Sequence, residues 1–128
     1  MTSSAEEVVL VVEDDADQRE AIATALASEG FRAVAVPDGR AALDVLEHDT
    51  PPRIILLDLA MPVMNGWRFL EEQRRRPRLA DIPTVVVTAY DLGYAVKRGL
   101  RDVDVLPKPF TIETLLDAIR RHPRATAA

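Results

Sequence analysis

Short apolar runs alternate with longer amphipathic segments along the chain. The apolar runs are rich in Val, Ile and Leu and are nearly continuous, which is the pattern of strands buried on both faces of a sheet. The five strands that this pattern predicts are Val8–Val12, Arg32–Val36, Ile54–Leu57, Thr84–Thr88 and Val103–Leu106. The third of these runs leads directly into Asp58.

The segments between the strands carry apolar residues at the spacing of a helix face. The five predicted helices are Ala16–Glu29, Arg40–Glu47, Trp67–Arg76, Leu92–Leu100 and one that follows Thr111. Asp15 and Thr111 are suitable N-caps for the first and last helices, and Gly30 ends the first. Gly93 and Gly99 weaken the helix pattern between them. Alternation of strands and helices predicts an α/β fold: a parallel sheet with helices on both faces.

Composition and charge narrow the class of protein. The 128 residues fit a single domain of 1–128, with a core of about residues 8–122 and a flexible tail at 123–128. The formal net charge of −5 argues against direct nucleic-acid binding, and the absence of cysteine excludes disulfides and thiolate metal sites. Because no apolar run is long enough to cross a membrane and no export signal is present, we expect a cytoplasmic protein.

Chemically useful side chains follow four of the five predicted strands. Glu13 and Asp14 come after the first strand and Asp58 after the third. Thr88 ends the fourth strand, and Lys108 comes shortly after the fifth. In a doubly wound sheet, ligands bind beyond the carboxyl ends of the strands, so we expect these side chains to converge.

A cluster of this kind calls for a cation. Two carboxylates ~5 Å apart repel by roughly 3 kcal/mol at an effective dielectric constant of ~20. Mg²⁺ or Mn²⁺ suits such an oxygen-ligand site, and Lys108 adds a compact positive charge. Lysine is scarce in this chain: of its 16 Lys and Arg residues, only Lys97 and Lys108 are lysines. Metal, ammonium and hydroxyl around one carboxylate are what phosphoryl transfer to that carboxylate requires.

At these residues the chain resembles the receiver domain of bacterial response regulators, the phospho-accepting half of two-component signalling. The segments that carry the resemblance are Val11–Asp15, Leu56–Pro62 with Asn65-Gly66, Val87–Ala89 and Pro107–Phe110. Each is moderately specific alone, but their order and spacing are specific, and the resemblance extends over about Val8–Arg121. It implies a flavodoxin-like, doubly wound fold with a five-stranded parallel sheet in the order 2-1-3-4-5.

The resemblance also implies a role for each strand-end residue. Asp58 would accept the phosphoryl group, Thr88 would be the switch hydroxyl, and Lys108 would pair with the phosphoryl group. The implied ligands of Mg²⁺, with Mn²⁺ as the alternative ion, are Glu13, Asp14, Asp58 and the backbone carbonyl of Ala60. The bond between Lys108 and Pro109 would be cis.

The implied function is that of a signalling switch. A sensor histidine kinase or a histidine phosphotransfer protein would supply the phosphoryl group, and a downstream protein would bind a surface of about Leu92–His122. The chain would catalyse only its own phosphorylation and dephosphorylation, would contact neither membrane nor nucleic acid, and would be a monomer or weak dimer.

Two departures from the family pattern affect these expectations. Val105 occupies the position three before the lysine, where the family commonly has an aromatic ring that moves with the switch hydroxyl. Ala60 and Tyr90 occupy the two variable positions that tune phosphoryl lifetime. Because alanine cannot hydrogen-bond an attacking water and tyrosine can block one, we expect slow self-dephosphorylation.

Other functions fit the residues less well. A phosphatase of the haloacid dehalogenase type needs a second aspartate where this chain has Ala60, and a flavodoxin-like carrier needs a phosphate loop rich in Ser and Thr after its first strand. The remaining alternative is a receiver-like interaction domain that works without phosphorylation, which Val105 at the usual aromatic position favours. His48 and His122 lack a partner at metal-ligand spacing and are expected at the surface.

Overall fold

The computed structural model describes residues 7–59, 64–88 and 103–122. The strands are β1 Glu7–Val12, β2 Phe31–Val36, β3 Ile54–Asp58, β4 Thr84–Thr88 and β5 Asp104–Pro107. The helices of the described residues are α1 Ala16–Ser28, α2 Gly39–His48, α3 Gly66–Arg75, α4 Pro77–Ala80 and α5 Ile112–Arg121. The strands form one parallel sheet in the order β2-β1-β3-β4-β5, which confirms the expected fold.

A hydrophobic layer lies on each face of the sheet. Because successive strand residues point to opposite faces, Leu10 packs in one layer and Val9 in the other. Phe69 of α3 is fully buried in the first layer, which α2 also covers. Leu26 of α1 and Ile119 of α5 are buried in the second. The helices thus cover both faces of the sheet. Polar residues are left at the two edges that are formed by the beginnings and by the ends of the strands.

Side-chain caps set the helix starts. Asp15 accepts a hydrogen bond from the Gln18 N–H at 3.0 Å, as predicted for the start of α1. Thr111 and Thr114 form a reciprocal capping box at the start of α5. The single turn α4 was not predicted, because four residues are too few to show a helical period. The predicted helix Leu92–Leu100 lies outside the described residues. In the described ranges, no helix is both long and apolar enough to span a bilayer.

The amino edge of the sheet, where the strands begin, is held by internally paired polar side chains. Gln73 of α3 is 3% exposed, and its amide nitrogen donates to the carbonyl oxygens of Leu79 and Ile82 at 3.0 and 3.1 Å. Its amide oxygen accepts from the Thr84 hydroxyl at 3.2 Å. This one side chain therefore ties α3, α4 and the start of β4 together. On the other side of the sheet, Arg53 pairs with Glu7.

A second cluster at the amino edge joins β5 to the end of α5. Asp104 Oδ2 accepts from Nε and Nη2 of Arg121 at 3.2 and 2.8 Å, and His122 Nε2 lies 3.2 Å from the same oxygen. Burial alone would raise the pKa of Asp104, but hydrogen bonds and positive charge from Arg121 and His122 outweigh it and lower that pKa below its ordinary value. His122 is half-buried in this contact, whereas His48 is exposed, as expected.

Candidate phosphoryl-acceptor and metal site

The carboxyl edge of the sheet, where the strands end, begins with the acid loop, residues 13–15. Glu13 follows β1 directly and is 1% exposed, and its N–H donates to Val36 O of β2 at 3.0 Å. Asp14 is exposed, and Asp15 caps α1. The strand thus places one carboxylate inside the protein and the next at the surface.

Asp58 is the last residue of β3 and is 6% exposed. The start of α3 packs tightly against its backbone, since the Gly66 N–H donates to Leu59 O at 2.9 Å. A Cβ atom at position 66 would lie 2.6 Å from the carbonyl oxygen of Asp58 and 2.7 Å from Cα of Leu59. Only glycine fits there, so Gly66 is part of what holds the backbone of Asp58 in place.

Thr88 and Lys108 reach the same edge from β4 and from the loop after β5. Thr88 ends β4 and is 1% exposed, and its carbonyl oxygen accepts the Lys108 N–H at 2.9 Å. The peptide bond between Lys108 and Pro109 is cis, which confirms the expectation from the sequence. This backbone contact joins the loop that carries the lysine to the strand that carries the hydroxyl.

The charged groups of the site lie within reach of one another. Glu13, Asp14 and Asp58 each offer a carboxylate oxygen, and these three atoms lie within 4.8 Å of one another. Lys108 Nζ lies 3.0 Å from Oε1 of Glu13 and 3.7 Å from Oδ2 of Asp58. This cluster contains three carboxylates and one ammonium group, so it carries an excess of negative charge.

The donor set fits a small, hard divalent cation. Mg²⁺ binds oxygen at about 2.1 Å in octahedral geometry, so its ligand oxygens lie about 3 to 4.2 Å apart. The limit of 4.8 Å in the site is slightly wider, and a small rotation of the exposed Asp14 side chain would close the difference. The three carboxylates repel one another, and a bound cation would replace this repulsion by attraction.

The structure brings together Glu13, Asp14, Asp58 and Lys108 as the sequence predicted, and it places Thr88 at the same edge of the sheet. Ala60 and Tyr90 lie outside the described residues. Val105 is half-buried and packs against the hydrophobic layer under α2 and α3. The position of the usual family aromatic ring is thus occupied by a small core side chain.

Sequence reasoning missed one residue of the site. Arg19 of α1 is half-buried, and its Nη1 donates to the carbonyl oxygens of Glu13 and Asp14 at 2.9 and 3.3 Å. Its position in the helix pattern is that of an ordinary surface arginine. The only signal was its place about one helical turn after the acid loop.

An apolar groove of about 580 Å³ lies beside the site, between α1 and the start of α5. Its lining includes Ala21 and Ala25 of α1 and Phe110 and Ile112 from the other wall. Lys108 lines the groove as well as the acid cluster, so the two features are continuous.

Comparison with known proteins places the chain in a family. The model of the response regulator receiver domain matches residues 9–120. The chain is 36% identical over 120 residues to the response regulator MprA of Mycolicibacterium vanbaalenii, and the match covers 92% of this chain and 51% of that protein. This chain therefore spans about half the length of the MprA relatives that it matches.

Two solved structures are similar in both fold and sequence. The chemotaxis protein CheY4 of Vibrio cholerae has a TM-score of 0.85 and 28% identity, covering 93% of this chain and 100% of that one. The receiver domain of the sensor histidine kinase PA1611 of Pseudomonas aeruginosa, which has a magnesium ion in its active-site cleft, has a TM-score of 0.81 and 28% identity over 92% of this chain and 98% of that one. The chain belongs to the response regulator receiver domains of two-component signalling, with the CheY-like fold.

Proposed function

We propose that the chain is a phosphorylation switch in which Asp58 takes a phosphoryl group from a phosphohistidine donor and thereby changes a protein-binding surface. The observation that carries this proposal is the convergence of Glu13, Asp14 and Lys108 on Asp58. Such an arrangement is unfavourable without a bound cation, because the carboxylates repel one another. A relative with magnesium in its cleft supports the same interpretation.

Each residue has a defined role in the proposed site. Glu13 and Asp14, with Asp58 and the backbone carbonyl of Ala60, would hold Mg²⁺ or, as the alternative, Mn²⁺. When bound, the cation neutralises charge on the oxygens of the transferred group. Lys108 is already in contact with Asp58 and would donate to a phosphoryl oxygen as a point charge. Thr88 would supply a hydroxyl donor on the side of β4.

The transfer itself is a displacement at phosphorus. A carboxylate oxygen of Asp58 attacks, a phosphorus–oxygen bond forms, and the phosphorus–nitrogen bond to the donor imidazole breaks. The imidazole then takes a proton from solvent, and the product is an acyl phosphate on Asp58. No residue has to remove a proton from the nucleophile, since the aspartate is used in its ionised form.

The donor and the target would bind different parts of the surface. A histidine kinase or a histidine phosphotransfer protein must cover the carboxyl edge to reach Asp58, and the groove between α1 and α5 gives it an apolar surface there. The downstream protein would bind about Leu92–His122, of which the structure describes residues 103–122. The chain would act in the cytoplasm as a single receiver domain of 1–128, a monomer or weak dimer, with no direct contact to nucleic acid or membrane.

Intact mass after incubation with Mg²⁺ and acetyl phosphate tests the proposal. The wild type should gain the mass of one phosphoryl group, whereas Asp58→Asn and wild type in EDTA should not. Asp44→Asn, an exposed carboxylate on α2, is the matched control and should behave as wild type. If the wild type gains no mass, the proposal fails, and the function that Val105 favours, an interaction domain independent of phosphorylation, takes its place.

The same experiment gives the lifetime of the phosphoryl group. With Ala60 and Tyr90 at the two variable positions, loss of the added mass after removal of acetyl phosphate should be slow. A half-life of only seconds would contradict this expectation.

A further inference from the structure

One arginine of α1 contacts the backbone of the acid loop rather than its carboxylates. Nη1 of Arg19 lies 2.9 Å from the carbonyl oxygen of Glu13 and 3.3 Å from that of Asp14. A guanidinium Nη carries two hydrogens, so this nitrogen can donate one to each carbonyl. The backbone N–H of Arg19 donates to Asp15 O at 2.9 Å, which sets the starting point of the side chain relative to the loop.

We infer that Arg19 is a positioning residue that directs the carboxylates of Glu13 and Asp14 toward the cation site, an inference that rests on the function proposed above. The carbonyl group and the side chain of a residue share one Cα atom, so holding the carbonyl restricts where the side chain points. The N–H of Glu13 is held by Val36 O at 3.0 Å, so the backbone of Glu13 is held on both sides.

The two carbonyl contacts matter because the loop must keep like charges together. Carboxylates within 4.8 Å of one another favour a loop conformation that separates them. Ordering a loose loop costs free energy at the moment of binding, whereas a loop already held by Arg19 has no such cost. Groups that orient metal ligands commonly change metal affinity when they are removed.

The positive charge of Arg19 has the opposite effect on a cation. A guanidinium near the site repels Mg²⁺, so a role through charge alone predicts that its removal strengthens binding. A role through geometry predicts that removal weakens binding. The sign of the change in affinity therefore separates the two explanations.

Calorimetric titration with Mg²⁺ provides the first measurement. Arg19→Met should bind Mg²⁺ about 10-fold more weakly than wild type. Arg19→Lys keeps the charge but has a shorter side chain and should fall between the two. Arg40→Met removes an exposed arginine of α2 and is the charge control, with an affinity within about 2-fold of wild type. Equal or tighter binding by Arg19→Met would overturn the inference.

Amide hydrogen exchange of the metal-free protein provides the second measurement. The Asp15 N–H donates to Oε2 of Glu13 at 3.2 Å, so its protection reports on the order of the loop. Exchange at Asp15 should be at least about 5-fold faster in Arg19→Met than in wild type, and unchanged in Arg40→Met. Unchanged exchange in Arg19→Met would show that the loop does not need the arginine.

The two measurements separate the inference from the proposed function. If wild type binds no Mg²⁺, the proposed function fails, while exchange at Asp15 still decides whether Arg19 orders the loop. If Arg19→Met does not fold, Arg19→Lys takes its place in both measurements and should bind Mg²⁺ about 3-fold more weakly than wild type. Wild-type affinity and wild-type exchange in Arg19→Lys would then overturn the inference.

Discussion

The two edges of the sheet treat polar side chains in opposite ways. At the amino edge, Gln73 uses its amide nitrogen twice and its amide oxygen once, and Asp104 accepts from both Arg121 and His122. At the carboxyl edge, three carboxylates lie together, and the ammonium of Lys108 contacts those of Glu13 and Asp58. Gln73 and Asp104 thus have their partners within the protein, whereas the carboxylates at the carboxyl edge outnumber the ammonium groups that contact them in the described residues.

This difference shows how one fold combines stability with function. Paired polar groups at the amino edge stabilise the chain, because a buried group with its hydrogen bonds satisfied costs little. Unbalanced charge at the carboxyl edge destabilises the free protein and favours ligands that bring positive charge. The contrast can be tested by substitutions at each edge, whose effects should differ in size and in sign.

The largest effect is expected at the amino edge. Gln73→Ala removes two buried hydrogen bonds, while Leu79 O keeps the Ile82 N–H as a donor and Ile82 O keeps the Thr84 hydroxyl, and it should reduce the free energy of unfolding by about 2 kcal/mol. Urea unfolding measures the loss, with Glu71→Ala on the exposed side of the same helix as the control. Affinity for Mg²⁺ should stay unchanged, and a large loss of affinity would mean that the two edges are not independent.

A smaller effect of opposite sign is expected at the carboxyl edge. Asp58→Asn removes one of three mutually repelling carboxylates and should raise the free energy of unfolding by about 1 kcal/mol in EDTA. Adding Mg²⁺ should stabilise the wild type by mass action and leave Asp58→Asn unchanged. The measurement is the urea midpoint with and without the ion. A variant less stable than wild type in EDTA would show that the contact between Asp58 and Lys108 outweighs the repulsion.

The smallest effect is expected from Asp104 and depends on pH. Its pKa is lowered in the folded state, so it contributes stability above its unfolded pKa of about 4, and this contribution is lost as pH falls through the folded pKa. Asp104→Asn should therefore reduce stability by up to about 1 kcal/mol at neutral pH, with the difference from wild type vanishing in acid. Thermal unfolding at several pH values checks this, with the exposed Asp117→Asn as control. A difference that grows in acid would contradict the assignment.

Sequence patterns predicted the sheet and the carboxyl edge better than the amino edge. Continuous apolar runs identify buried strands, and parallel strands bring their carboxyl ends together, so the convergence of Glu13, Asp58 and Lys108 follows from topology. The contacts of Gln73 and Asp104 depend on side-chain packing between elements that no local period records. Arg19 was missed for the same reason, since its contact depends on the path of the backbone between β1 and α1.

Because the chain has only two lysines, a lysine-specific reagent can label the ammonium group of the site with few competing positions. Reductive methylation with ¹³C-labelled formaldehyde would attach probes to the side chains of Lys97 and Lys108 and to no other side chain, since the remaining basic residues are arginine or histidine. The Lys108 resonance would arise from a group 3.0 Å from Glu13 and 3.7 Å from Asp58. The chemical shift of the methylated Lys108 would report on the charge of the neighbouring carboxylates. Lys108 is therefore a natural position for a spectroscopic probe of this site.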